Sequence, residues 1–170
     1  MNMTKNYLTV LVTICLLITS CGDDNPRPNC DLPGVLTKSR CAGPTSTGGQ
    51  DAEALIVLYL DDNGLTAERT SDGLYYVIRE SGGEEKPSAD DRVTVDYVGY
   101  YRNDCSFDGN SGSTFNLSDL IQGWQQGIPL VGRCGTVTLL VPPALAYGQN
   151  PSNGILAGEP LLFDINLLDF

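Results

Sequence analysis

The stretch Arg92 to Tyr101 constrains the fold more than any other part of this chain. Val93, Val95, Tyr97 and Tyr101 alternate with Thr94, Asp96 and Tyr100. Side chains of a strand point alternately to opposite faces, so this pattern reads as a strand with one face buried. A second such run closes the sequence, Leu161 to Leu168, with Leu161, Phe163, Ile165 and Leu167 on one face. Gly135 to Val141 reads as another strand, stopped by Pro142-Pro143, and Gly73 to Glu80 as one more. Ser106 to Leu117 reads as a strand interrupted at Asp108-Gly109-Asn110-Ser111-Gly112, a bulge or a loop. Ser118 to Gln126 reads as a short helix capped by Ser118, with Leu120, Ile121 and Trp124 as its apolar stripe. Strands with one short helix give an α+β domain, a mostly antiparallel sheet covered on one face. No internal repeat is visible.

Ahead of the strands, Asp51 to Asp62 reads as a helix. Asp51 can cap it, Glu53 lies in the first turn, and Asn63-Gly64 ends it. Its middle, Ala54 to Leu60, is apolar nearly all round, and β-branched Ile56 and Val57 make a strand the competing reading. Residues 22 to 49 are rich in Gly, Pro, Asn, Asp, Ser and Thr and read as a tether.

The amino end reads as an export segment. Lys5 precedes the apolar run Tyr7 to Ile18, which is too short for a comfortable membrane span. Ile18-Thr19-Ser20-Cys21 resembles a bacterial lipobox, in which the cysteine is acylated and becomes the first mature residue. A plain secretory signal, with Cys21 left for a disulfide, is the alternative. Gly22 after the cysteine points to the outer membrane of a bacterial envelope, on its periplasmic or its surface face. Cys15 leaves with the signal and Cys21 with the lipid, so Cys30, Cys41, Cys105 and Cys134 remain as disulfide candidates.

Composition narrows the chemistry. The 170 residues suit one domain. Ten Lys+Arg against 21 Asp+Glu give a formal net charge of −11, which repels phosphate backbones and argues against nucleic acid as a partner. His is absent, so imidazole acid–base and nucleophilic chemistry is excluded. There is no CxxC pair, and no run of alternating carboxylates forms a calcium loop, so neither a metal nor a cofactor is expected.

The order of motifs resembles one known family. Val93-Thr94-Val95-Asp96-Tyr97-Val98-Gly99, Phe107-Asp108, and Phe115 to Trp124 with its Ile121-x-Gly123-Trp124 core are followed by Gly132. Then come Val141-Pro142-Pro143-Ala144-Leu145-Ala146-Tyr147-Gly148 and Leu161 to Leu168 with Phe163-Asp164. This pattern is similar to the FKBP-type peptidyl-prolyl isomerases, and the preceding helix is similar to exported bacterial members. The resemblance implies a five-stranded, mostly antiparallel sheet wrapped around a short helix, with an N-terminal helical extension. It divides the chain into a lipoprotein signal (1–20), a flexible tether (21–49), a helical extension (50–71) and an isomerase domain (72–170).

It also implies a pocket that acts on proline-containing polypeptides and takes the family's macrolide inhibitors. Tyr97, Asp108 and Tyr147 fall on its catalytic positions. Phe107, Phe115, Leu120, Ile121, Trp124, Ile155 and Phe163 fall on its substrate-binding positions. Trp124 would be the floor under the proline ring, the Ile121 N–H and the Tyr147 hydroxyl would donate to substrate, and Asp108 would hold the rim, with Tyr97 as a donor to it. Singly, each residue reads as core packing or as a turn; their joint spacing carries the resemblance. Two departures stand out. The loop before the last strand has Ile155-Leu156 where the family carries Ile-Pro, and the loop after Asp108 is short and Gly-rich. A non-catalytic chaperone or surface-binding lipoprotein of the same fold is therefore the second functional reading. With the family's strand order, a Cys105–Cys134 bond is disfavoured. Cys30 and Cys41 are then each expected to bridge to the domain, with their partners left open.

Overall fold

The computed structural model describes Cys30 and residues 51–150 and 154–170. The export segment, the lipobox Cys21, Cys41 and the tether apart from Cys30 lie outside the described residues.

Helix α1 spans Ala52–Asp62. The Asp51 carboxylate accepts from the Glu53 N–H at 3.1 Å, satisfying a donor that the first turn leaves unpaired. At the other end Gly64 takes φ +61°, and the Leu65 N–H returns to the Leu60 carbonyl at 2.9 Å. A glycine suits this left-handed position because it has no Cβ to clash. Leu55, Ile56, Tyr59 and Leu60 are buried, whereas Val57 and Leu58 stay exposed.

The strands are β1 (Glu68–Arg69), β2 (Tyr75–Glu80), β3 (Arg92–Tyr100), β4 (Ser106–Asn116), β5 (Gly135–Val141) and β6 (Leu161–Asp169). They form one sheet in the order β1-β2-β5-β6-β3-β4, and every pairing in it is antiparallel. The sheet thus has six strands rather than five, the extra one being the two-residue β1 at the edge. The expected interruption in β4 takes the form of register shifts against β3, between Val95 and Tyr97 and again between Gly99 and Tyr100.

Both faces of the sheet are covered, not one. The inner face carries the main core, with Val93, Val95, Val137, Leu139, Val141, Leu161, Phe163, Ile165 and Leu167 packed with Trp124 and Ile128. On the outer face, Ile56, Tyr59 and Leu60 of α1 pack on Val98, Tyr100, Leu140 and Leu162. Polar bonds fix the docking. The Tyr59 hydroxyl donates to Asp104 Oδ1 at 3.1 Å, and the Tyr100 hydroxyl to Asp164 Oδ1 at 3.2 Å. Burial, reinforced by the Asp104 charge, pushes the Tyr59 phenol up to about 12, so it remains a donor at neutral pH.

The short helix differs from its expected bounds. A one-turn 3-10 helix (Leu117–Asp119) comes first, the chain then extends through Leu120 and Ile121, and α2 runs from Gln122 to Gly127. Ile121, not Ser118, occupies the N-cap position, and no side chain caps the helix. Two glycines set how closely α2 approaches the sheet. A Cβ on Gly123 would lie 2.5 Å from Val141 Cγ1, and one on Gly127 would overlap the Leu139 methyls. Here glycine serves contact between backbone and side chains, which larger residues would prevent.

Cys30 is bonded to Cys134, with Cα atoms 5.1 Å apart. The bond joins the tether to the residue just before β5. Cys105 is also disulfide-bonded. Since β3 and β5 both flank β6 antiparallel, they run in the same direction. Cys105, just past the end of β3, and Cys134, just before β5, therefore lie toward opposite ends of the sheet.

Candidate active site

A cavity of about 290 Å³ opens between the inner face of the sheet and α2. Its lining is Tyr97, Phe107, Asp108, Phe115, Asp119, Leu120, Ile121, Trp124, Tyr147 and Phe163. Each element supplies its share for a local reason. Tyr97 faces inward by the period-two pattern of β3. Phe107, Asp108 and Phe115 come from β4. Leu120 and Ile121 come from the extended link before α2, and Trp124 from the first turn of that helix. Phe163 stands on β6 beside Gly99 of β3. A Cβ on Gly99 would come within 2.6 Å of Phe107 and 2.9 Å of Phe163, so glycine there leaves room for both rings.

The rings brace one another. Trp124 is buried and meets Tyr97 edge-on at 5.0 Å between centroids, Phe163 at 5.3 Å and Phe115 at 6.2 Å. Phe107 meets Phe163 edge-on at 5.7 Å, and Tyr101 stands tilted at 42° to Phe107, 4.9 Å away. Edge-to-face pairs of this kind match the positive ring edge to the negative face and hold a rigid wall.

Polar groups sit at the rim. The Tyr97 hydroxyl donates to Asp108 Oδ2 at 2.9 Å, and the Gly109 N–H to Asp108 Oδ1 at 2.8 Å. Desolvation first, then the bond to Asp108, pushes the Tyr97 phenol up to about 12, so it stays a donor. The Asn116 amide donates to Asp119 Oδ2 at 2.7 Å. Tyr147 is partly exposed, from the turn after the one-turn helix Pro143–Leu145. The Ile121 carbonyl accepts from Trp124 and Gln125, while its own N–H meets no acceptor among the described residues. No group of His, Cys, Asp and Glu side chains that could hold a metal occurs among the described residues.

Nine of the residues singled out in the sequence thus come together around one cavity. Ile155 does not join them. It is 4% exposed and packed in the main core, while Leu156 points outward at 40%. The loop is tied back instead by the Tyr101 hydroxyl, which donates to the Gly154 carbonyl at 3.4 Å. Asp119 lines the cavity without any sequence signal to mark it. It follows Ser118 in a stretch that reads as an ordinary helix start.

An antiparallel sheet around a short helix, with an aromatic pocket between them, defines a class. The FKBP-type peptidyl-prolyl cis-trans isomerase family matches residues 83–168, just over half of the chain, and the protein belongs to that family. Among relatives, FkpA of Buchnera aphidicola subsp. Acyrthosiphon pisum is 37% identical over 106 residues, covering 60% of this chain and 44% of that protein. FkpA of Escherichia coli K12 is 36% identical over 104 residues, covering 59% and 38%. Mip of Coxiella burnetii is 33% identical over 103 residues, covering 58% and 45%. The matched region spans less than half the length of each of these relatives. The crystal structure of Escherichia coli FkpA superposes with a TM-score of 0.64 at 33% identity, over 70% of this chain and 59% of that one. A peptidyl-prolyl isomerase structure from Pseudomonas syringae gives 0.64 at 25% identity, over 75% and 98%.

Proposed function

We propose that this protein is a peptidyl-prolyl cis-trans isomerase that assists the folding of exported proteins. The observation that carries this reading is the braced aromatic cavity, with buried Trp124 in its lining beside Tyr97, Asp108 and Tyr147. Rotation about an X-Pro bond faces a barrier of about 18–20 kcal/mol because amide resonance must be broken. No proton need be transferred and no bond to the protein formed. What helps is an environment that favours the twisted amide over the planar one.

The residues suit that task. The proline ring packs on Trp124, between Phe107 and Phe163. The dry wall favours the less polar twisted amide, and the Ile121 N–H with the Tyr147 hydroxyl holds the carbonyl oxygen. Asp108 acts by positioning: it receives the Tyr97 hydroxyl and fixes the rim, and it takes no proton. Macrolide inhibitors of the family would occupy the same cavity. The binding-module reading rested on the altered Ile155-Leu156 loop. Since Ile155 packs in the core and Leu156 faces outward, that change removes no lining side chain.

The soluble domain should accelerate isomerisation of a short X-Pro peptide in a protease-coupled assay. Asp108→Ala should lower kcat/KM about tenfold, equivalent to about 1.4 kcal/mol, a typical loss for one charge-assisted hydrogen bond. Its urea midpoint should move little, because Asp108 is exposed. A folded wild-type domain without activity would hand the case to the binding module.

The same proposal includes the anchor. Cys21 stands at the lipobox position, so the mature chain would begin there, acylated and held on the outer membrane of a bacterial envelope. Each buried methylene adds about 0.8 kcal/mol to membrane binding, and several acyl chains hold firmly. Cys21→Ser should move the protein from the membrane pellet to the soluble exported fraction, or arrest it unprocessed. Intact mass of the wild-type protein checks this directly: a mature chain starting elsewhere, without lipid, refutes the anchor.

A further inference from the structure

The rim of the cavity is charged on one side of the scale only. Its lining includes two carboxylates, Asp108 and Asp119, and no lysine or arginine. The two are not equivalent. Both oxygens of Asp108 are engaged inside the protein, by the Tyr97 hydroxyl and the Gly109 N–H. Asp119 is exposed, and only its Oδ2 is taken, by the Asn116 amide at 2.7 Å. That bond orients the carboxylate at the edge of the cavity and leaves Oδ1 without a partner among the described residues. A charge fixed beside an apolar cavity acts on whatever enters it, because low-dielectric walls focus its field.

We propose that Asp119 is a specificity-determining residue, selecting proline-containing segments that carry a lysine or arginine beside the proline. This rests on the isomerase reading of the cavity. A substrate with its proline on Trp124 must pass its flanking residues over the rim. A cationic neighbour meets the Asp119 carboxylate there, and an acidic one is repelled by both rim carboxylates. The net charge of −11 adds to the same preference by drawing basic segments toward the protein.

Three peptides that differ only in the residue before proline, Lys, Leu or Glu, test this at low ionic strength. Exposed charge pairs favour the bound state by up to about fivefold each. The kcat/KM ratio of the Lys to the Glu peptide should therefore be about tenfold in the wild-type protein. It should fall to about threefold in Asp119→Asn, remain near wild type in Asp119→Glu, and shrink in 1 M NaCl. A ratio taken within each variant is insensitive to any general loss of turnover. Equal ratios in the wild type and Asp119→Asn, or no charge preference at all, would overturn the proposal. If no peptide is turned over, the isomerase reading fails separately. The dissociation constants of the same peptides, followed through the fluorescence of Trp124, then decide the charge preference by the same ratios.

Discussion

Trp124→Ala should lose both stability and activity, and by more than any other substitution in the cavity. Trp124 is 4% exposed and touches Tyr97, Phe115 and Phe163 through ring contacts. Truncating a buried aromatic residue of this size typically destabilises by about 3–5 kcal/mol, through lost transfer energy and the cavity left behind. The same change would remove the surface on which the proposed function packs the proline ring. Burial of a side chain of that size contributes about 2 kcal/mol, so kcat/KM should fall about thirtyfold even where the protein is still folded. Urea titration followed by far-UV circular dichroism measures the first effect, and the X-Pro peptide assay below the transition the second. Trp124→Leu separates them. It keeps most of the bulk and should restore much of the stability, while activity stays low because the flat floor is gone. Full activity in a stably folded Trp124→Leu protein would mean that the ring is packing alone.

The second large effect belongs to the Cys30–Cys134 bond. It closes a loop with a sequence separation of 104 residues. Restricting the unfolded chain over such a loop corresponds to about 5 kcal/mol in the chain-entropy account. Cys30→Ser combined with Cys134→Ser should lower the urea midpoint accordingly, without changing the peptide rate under native conditions. The bond lies just before β5 and neither cysteine lines the cavity, so rate and stability should separate. Unchanged midpoints with and without the bond would show that the tether already docks through other contacts. Since a typical domain is stable by only about 5–15 kcal/mol, a loss of this size would be a large share of the whole.

Much of the fold was legible because strand and helix periods are local properties. The alternation of Val93, Val95 and Tyr97 placed β3, and Pro142-Pro143 closed β5 where β5 ends. Asp51 and Gly64 bounded α1 through hydrogen bonds made within a few residues of each. The spacing of aromatic motifs brought Tyr97, Phe107, Phe115, Trp124 and Phe163 onto one wall, because inward positions on neighbouring strands meet when the sheet forms.

What the sequence left open depended on contacts between distant segments. One apolar face of α1, with Ile56, Tyr59 and Leu60, found its partner only on the outer face of the sheet, against Tyr100, Leu140 and Leu162, while Val57 and Leu58 stay exposed. The start of α2 shifted to Gln122 because Leu120 and Ile121 extend toward the cavity, a demand that Ser118 could not reveal. Ile155 went to the core, its loop held by Tyr101, which lies 53 residues before Gly154 in the chain. Asp119 reached the rim only through the 3-10 turn that it ends and the bond from Asn116. Local periodicity and capping thus determined the elements and the aromatic wall. Tertiary packing decided which face α1 covers, where α2 begins and which carboxylates stand at the cavity rim, since each of these depends on how segments far apart in the chain meet.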